Sequence, residues 1–133
     1  MDQNIYSSLK ENDITQIILQ YSFKIHSALG PGLLESVYEE CLFYELIKHG
    51  FYVERQKSLP VSYEGIILKA GFRIDLFVEN KVIIELKAVE ALNEIHFAQT
   101  LTHLRLSECK VGLLINFNVA SLKNGIKRIV NKY

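Results

Sequence analysis

Charged side chains interrupt two largely apolar segments near the middle of the chain. Residues 72–78 read Phe-Arg-Ile-Asp-Leu-Phe-Val and residues 82–88 read Val-Ile-Ile-Glu-Leu-Lys-Ala, so Asp75, Glu85 and Lys87 fall inside two candidate strands. A buried charge is costly unless it is paired or holds a metal. Carboxylate oxygens are the ligands that Mg²⁺ and Mn²⁺ prefer in proteins. The pattern therefore predicts an acidic divalent-cation site with a lysine beside it.

The connection between the two segments decides whether this site forms. If it has three residues, 79–81, Asp75 lies opposite Glu85 in an antiparallel pair, with Cβ atoms ~5 Å apart. A two-residue connection would send Asp75 to the other face of the sheet. A second interpretation stays open at this point. Glu85 with Lys87, and Asp75 with Arg73, could be ordinary solvated ion pairs, because such a triplet often occurs by chance.

Apolar periodicity predicts the elements that would position these side chains. Helical spacing covers residues 14–29 and 33–49, and Gly50 stands where a helix commonly ends. The later part of the chain is expected to form a helix at 93–107, a buried strand at 111–117 and a short last helix at 120–131. Residues 1–13 are expected to be loose. The expected strands before the third helix are 51–56, 59–63, 66–70, 72–78 and 82–89. This order, ααβββββαβα, predicts one α/β domain over residues 1–133, with a central mixed sheet flanked by helices.

Composition excludes some classes of protein. The 133 residues carry 15 Lys plus Arg and 15 Asp plus Glu, so the net charge is zero. A polybasic nucleic-acid binder is therefore disfavoured, although a local basic cleft needs no overall excess of charge. Two cysteines without CxxC spacing suggest neither a zinc site nor a disulfide framework. The polar N-terminus has no signal-peptide core, and no apolar run is long enough to span a bilayer, so we expect a cytoplasmic protein.

Several motifs in order resemble a known family. They are His26-Ser-Ala-Leu-Gly-Pro-Gly32-Leu-Leu-Glu35-Ser-Val-Tyr38, Arg73-Ile-Asp75-Leu, Ile84-Glu85-Leu-Lys87-Ala-Val, Ala98-Gln99 and Gly112-Leu-Leu-Ile-Asn-Phe. Together they resemble the GxxExxY family, a bacterial and archaeal group of the PD-(D/E)XK nuclease superfamily. The resemblance covers roughly residues 14–131. It implies a restriction-endonuclease-like core and hydrolysis of phosphodiesters in nucleic acid, DNA more than RNA.

The same resemblance implies roles for individual residues. Asp75, Glu85 and the Leu86 carbonyl would hold Mg²⁺ or Mn²⁺, and Lys87 would be the catalytic lysine. Glu35 would complete the metal shell, directly or through water. Gln99, on the helix after the acidic strands, would support the site. The position four residues after Gln99 is His103 here, whereas tyrosine is common in the family, which leaves the role of His103 open.

Other interpretations of the neighbouring residues also stay open. Glu35 would stabilise its helix simply by standing in the first turn, and Tyr38 suits packing better than contact with a substrate. His96, Gln99 and His103 lie on one helical stripe, which is either a polar wall of the cleft that meets substrate or a solvated face. The basic residues near the C-terminus, Lys123, Lys127, Arg128 and Lys132, are more typical of a solvated helix face than of a phosphate site.

Two functions from different classes are consistent with the sequence. The first is a metal-dependent nuclease that works alone, as a homodimer or with an unknown protein partner. The second is a catalytically silent module that keeps the fold but only binds nucleic acid or another protein. The second would gain weight if Glu35 pointed away from Asp75 and Glu85. A large exposed apolar patch would favour a protein-binding role.

Overall fold

The computed structural model describes residues 9–132 and contains three helices around one sheet. The first two helices come before the sheet, and the third connects its third and fourth strands. Among the described residues, no helix combines the length and the apolarity that crossing a bilayer requires. In chain order the elements are α1 (Glu11–Leu29), α2 (Glu35–His49), β1 (Val53–Tyr63), β2 (Ile66–Val78), β3 (Val82–Lys87), α3 (Glu94–Ser107), β4 (Val111–Asn116), a 3₁₀ turn (Leu122–Gly125) and β5 (Ile126–Val130).

The five strands stand in the sheet in the same order as in the chain. Only β3 and β4 are parallel, and α3 supplies the crossover that a parallel pair needs. The other neighbours are antiparallel. Every residue of β4 is buried, as are the first five of β3, so these strands form the centre of the sheet. The predicted class, a mixed sheet flanked by helices, is confirmed.

Side-chain alternation along β3 separates two apolar clusters. Val82, Ile84 and Leu86 belong to the larger cluster, which includes the buried faces of α1 and α2. Ile83 belongs to a smaller cluster that includes Leu104 of α3. Because successive strand residues point to opposite faces, α1 and α2 cover one face of the sheet and α3 covers the other. Glu85 has the same parity as Ile83 and therefore points toward α3.

The predicted number of strands before α3 was wrong, because the structure has three strands there instead of five. Residues 51–56 and 59–63 belong to one long strand, β1, and residues 66–70 and 72–78 belong to β2. The ladder between them has an irregularity at Leu59 and Val61, where the register shifts but pairing resumes. A bulge of this kind bends a strand without ending it, which is why two local patterns describe one element.

The predicted helix at 120–131 was also wrong, because this segment forms the 3₁₀ turn and β5. Ile126 and Ile129 are three residues apart, which fits a helix face, and both nonetheless pair with β4. As a strand, this segment supplies hydrogen-bond partners to the edge of β4 opposite β3. Lys123, Lys127, Arg128 and Lys132 are exposed on this turn, edge strand and tail, so the basic helix face does not exist.

The N-terminal boundary differs from the expected one as well. The first helix begins at Glu11, and the Lys10 main-chain N–H donates to the Asp13 carboxylate at 3.3 Å. Acidic residues in a first turn stabilise a helix, so residues 11–13 are ordered rather than loose. Residues 1–8 of the predicted loose segment lie outside the described residues.

Candidate active site

The connection between β2 and β3 has the length that the acidic site requires. Val78 pairs with Val82 and Leu76 pairs with Ile84, so residues 79–81 form a three-residue turn. Glu79 and Asn80 adopt left-handed backbone angles there, with φ of 54° and 53°. Continued by one residue, this register places Asp75 opposite Glu85. The geometric condition for the two carboxylates to meet is confirmed.

Both carboxylates are held by main-chain N–H groups at the end of the β2–β3 ladder. The Leu86 N–H donates to Asp75 Oδ2 at 2.8 Å, and the Asp75 N–H donates to Glu85 Oε2 at 3.4 Å. Each acid is therefore tied to the strand that carries the other. Carboxylate oxygens have further lone pairs, so both side chains keep the capacity to bind another cation or donor.

Burial raises the pKa of Asp75 from its ordinary value of 3.8 to about 6. The Leu86 N–H opposes this shift because it stabilises the carboxylate, whereas the nearby acids Glu85, Glu39 and Glu35 add to it. A carboxylate that is crowded by other acids and poorly solvated attracts a compensating cation. The electrostatics of the site therefore favour a bound metal or a bound proton.

Asp75 and Glu85 open into a cavity of about 330 Å³. Two cations also line this cavity, Arg73 from β2 and Lys87 from β3. Within residues 9–132 neither one forms an ion pair with an acidic side chain, since the four close ion pairs found there involve other residues. The complete lining is Gly71, Phe72, Arg73, Asp75, Glu85, Lys87, Gln99 and His103. Acids and unpaired cations thus share a single cleft, which suits a metal together with a phosphate.

Glu35 lies beside this cleft in the first turn of α2. Desolvation raises the pKa of its carboxyl group, and Lys87 counteracts that rise. Glu39 and Glu85 raise the pKa further, while the Ala88 main-chain N–H lowers it. The Glu35 carboxyl group therefore lies near the Ala88 N–H and within electrostatic range of Lys87 and the acids, although Glu35 is exposed and does not line the cavity. This position gives the silent module no added support.

The polar residues of α3 divide between the cleft and the helix itself. Gln99 is exposed and lines the cavity. His103 is buried, with Nδ1 3.1 Å from Glu85 Oε1 but without the alignment of a hydrogen bond. Its ring lies against Phe72 with centroids 4.8 Å apart and planes tilted by 32°. His96 caps α3, because its Nδ1 accepts from the Asn93 N–H and its N–H donates to Asn93 Oδ1. His96 does not line the cavity, so this geometry does not support substrate contact by His96.

Tyr38 is fully buried and fixes the loop that precedes α2. Its ring stacks on Phe117 with centroids 4.5 Å apart. Its hydroxyl donates to the Gly30 carbonyl at 2.6 Å and accepts from the Leu33 N–H at 3.1 Å. Both hydrogen bonds close the Gly30–Leu33 loop. A side chain with no exposed surface cannot touch a substrate, so the contacts of Tyr38 support a structural role in the loop before α2.

Two residues beside the acids were not singled out from the sequence. Glu39 is only 6% exposed, and its carboxylate accepts from Arg55 at 2.8 Å and from Gln56 at 2.6 Å. Gln56 also donates to Asp75 Oδ1 at 3.4 Å. Glu39 follows Glu35 by four residues, so helical periodicity alone places both on one face. No sequence signal indicates Gln56, since it lies in a different strand and its contacts are tertiary.

The donor set fits a hard divalent cation on chemical grounds. Asp75 and Glu85 offer carboxylate oxygens from adjacent strands, and Mg²⁺ commonly takes only one or two carboxylates with water and substrate phosphate in the remaining positions. Within residues 9–132, no group of three or more His, Cys, Asp or Glu side chains is arranged to hold a metal by itself. A metal here would therefore need water or a phosphate oxygen to complete its coordination.

Comparison with known proteins identifies the family of this chain. A search of curated proteins and a search of solved structures each gave no match to the chain. A family model described as the PD-(D/E)XK nuclease superfamily matches residues 12–129, which include all five strands up to Ile129 and every residue of the cleft. With almost its whole length matched, the chain belongs to the PD-(D/E)XK nuclease superfamily.

Proposed function

We propose that this protein is a divalent-metal-dependent nuclease that hydrolyses phosphodiester bonds in DNA or RNA. One observation carries the proposal: Asp75 and Glu85 meet in a cleft with two unpaired cations, Arg73 and Lys87. Such a cleft has groups for a metal and groups for the negative phosphate that the metal must act on. Membership of a nuclease superfamily supports the same chemistry.

The chain's own residues divide this work between them. Asp75 and Glu85, with the Leu86 carbonyl, would hold Mg²⁺ or Mn²⁺, and Glu35 would join them through water. Once bound, the metal supplies Lewis-acid polarisation of a phosphoryl oxygen and a more acidic water. The Lys87 ammonium stabilises the negative charge that grows on the phosphate oxygens. Arg73 binds a phosphate oxygen at the mouth of the cleft, and Gln99 orients water or phosphate from α3.

Within the superfamily we propose the GxxExxY group for this chain. Each residue of that motif has a separate physical role here. Gly32 has φ of 101°, which favours glycine, Glu35 lies within electrostatic range of Lys87, and the Tyr38 hydroxyl closes the loop between α1 and α2. The motif thus brings an acid of α2 to the sheet. The GxxExxY family is bacterial and archaeal, so we also propose a prokaryotic source for this protein.

A cleavage assay on matched variants tests the nuclease proposal. Wild-type protein with Mg²⁺ or Mn²⁺ should cut at least one of four substrates, single- or double-stranded DNA or RNA, and EDTA should stop the reaction. Glu85→Gln removes the charge of an acid that is 4% exposed in the cleft, and it should abolish cutting. Glu90→Gln alters an exposed acid just beyond β3 and should cut normally. Wild-type protein that cuts none of the substrates under any metal would refute the proposal.

A different observation supports an assembly role as a second candidate function. The ends of β1 and β2 extend beyond β3 as a two-stranded hairpin that carries exposed apolar side chains. The exposed members are Tyr63, Ile66, Ile67 and Leu68. A two-stranded hairpin by itself is marginally stable in water, and in residues 9–132 no third strand pairs with this part of β2. A second copy of the chain offers the same free edge, and antiparallel pairing of identical edges closes a two-fold dimer.

Substitution of one hairpin residue tests this dimer. We expect wild-type protein to sediment as a dimer at tens of micromolar and Ile67→Lys, at a site 68% exposed, to sediment as a monomer, because a charge in the paired hairpins is costly. Ile95→Lys is the matched control, since Ile95 is 74% exposed at the start of α3, outside the hairpin. It should remain dimeric. Wild-type protein that is monomeric at every concentration would show that the hairpin does not pair with its copy.

A further inference from the structure

Gln56 has a backbone conformation that its position in a strand does not explain. Its φ is 52°, in the left-handed region that side chains other than glycine rarely adopt. The neighbouring pairs Arg55–Leu76 and Lys57–Ile74 keep one common register, so β1 does not slip at this point. The distortion is confined to one residue, and the same register places that residue opposite Asp75. Backbone strain of this kind concentrates at functional sites.

The distorted backbone places the Gln56 amide between two carboxylates. Gln56 Nε2 donates to Glu39 Oε1 at 2.6 Å and to Asp75 Oδ1 at 3.4 Å. An amide nitrogen has two hydrogens and can serve two acceptors, whereas the amide oxygen would be repelled by both acids. The orientation of the side chain is therefore determined by its neighbours. It reaches from α2 on one side to the acidic strand on the other.

Glu39 is a firm anchor for this bridge. It is only 6% exposed, and Arg55 neutralises it through a 2.8 Å contact from the adjacent position of β1. The contact of Gln56 with Glu39 is shorter than its contact with Asp75, so the buried Glu39 carboxylate holds the amide more firmly. Its remaining hydrogen then points at Asp75. Neither Glu39 nor Gln56 lines the cleft, so the bridge acts from behind the site.

We propose that Gln56 is a positioning residue that orients Asp75 for metal binding, with Glu39 and Arg55 as its support. The Leu86 N–H holds one oxygen of Asp75 and Gln56 holds the other, so the plane of the carboxylate is set from two directions. Partners that orient a metal ligand often change metal affinity by roughly 10-fold or more when removed. This inference rests on the proposed function, because it assigns Asp75 the role of metal ligand.

Gln56→Gly separates a positioning role from a structural one. Glycine adopts a positive φ without strain, which offsets the loss of the hydrogen bond to Glu39, so this variant should melt within a few degrees of wild type. At the same time its Mg²⁺ affinity, measured by calorimetry, should fall roughly 10-fold. Glu64→Gly is the matched control, because Glu64 also has a positive φ, of 47°, but lies at the tip of the β1–β2 hairpin. The control should gain thermal stability and bind Mg²⁺ as wild type does.

Two results would overturn the inference. One is a Gln56→Gly protein that binds Mg²⁺ as tightly as wild type. The other is Gln56→Asn with wild-type affinity, since asparagine tolerates a positive φ but its amide is one methylene too short to bridge the two acids. If wild-type protein binds no Mg²⁺ at all, the proposed function fails and the contact itself is still testable. The side-chain amide NMR signal of Gln56 should then shift in Asp75→Ala, and an unshifted signal would overturn the bridge.

Discussion

Lys87→Ala should reduce the rate of phosphodiester cleavage by about 10²–10³-fold, without weakening Mg²⁺ binding. Lys87 is the last residue of β3, half-buried, and it lines the cleft two residues after Glu85. Its charge lowers the pKa of Glu35, so it lies among the acids. Because it is a cation, it is not a ligand of Mg²⁺. Its removal therefore takes away a group that binds the phosphate, and it leaves the acids at least as attractive to Mg²⁺.

Single-turnover cleavage and calorimetry together measure this separation. Lys123→Ala is the matched control, because Lys123 is exposed on the 3₁₀ turn and outside the cleft. It should cut at the wild-type rate. A Lys87→Ala protein that cuts as fast as wild type would remove the lysine from the mechanism. Equal losses of rate and of Mg²⁺ affinity would show instead that the substitution had disturbed the acids.

Asp75→Asn should abolish Mg²⁺ binding and, at neutral pH without metal, make the protein more stable than wild type. Asp75 is partly exposed, and its pKa is raised from 3.8 to about 6, chiefly by burial. Between about pH 4 and pH 6 the folded protein holds a proton that the unfolded chain has released. The wild type therefore loses stability as the pH rises through this window. Asparagine stays neutral, so the variant does not share that loss.

Urea unfolding at pH 4.5 and pH 7.5 measures the difference. We expect the variant to exceed the wild type by on the order of 1–2 kcal/mol at pH 7.5, after allowance for solvent screening, and by less at pH 4.5. Millimolar Mg²⁺ should stabilise the wild type and leave the variant unchanged, because only the native wild type binds it. Glu90→Gln should behave as wild type throughout. A variant that is less stable than wild type at pH 7.5 would contradict the crowded-acid site.

The high pKa of Asp75 and the strained backbone of Gln56 share one physical explanation. A site that will hold a divalent cation must gather acids that repel one another while the cation is absent. In the folded protein Asp75 and Glu85 repel each other, and the strained backbone of Gln56 orients Asp75. Charge repulsion and backbone strain that disfavour folding are expected at sites where a protein performs chemistry. The Asp75→Asn variant should therefore gain stability as it loses metal binding, and Gln56→Gly should bind the metal less tightly although its backbone is relaxed.

Local sequence determined the elements that carry the site. Charges inside two apolar strands and a three-residue turn were enough to place Asp75 opposite Glu85, because pairing phase depends only on turn length and a two-residue period. Gly50 likewise marks the end of α2 as expected. The third helix begins one residue after its predicted start. These features depend on neighbours within a few residues, and such neighbours can be recognised in the chain itself.

Tertiary structure alone decided the features that depend on distant partners. Residues 126–130 form a strand because the free edge of β4 needs hydrogen bonds, although their own spacing also fits a helix. His96 caps a helix and His103 lies beside Glu85, yet spacing alone allowed both to meet a substrate. The packing role expected of Tyr38 agrees with its place against the loop before α2. Gln56 of β1 joins Glu39 of α2 to Asp75. Spacing shows which residues share a face, but only the packed chain shows which of those faces meet at Asp75.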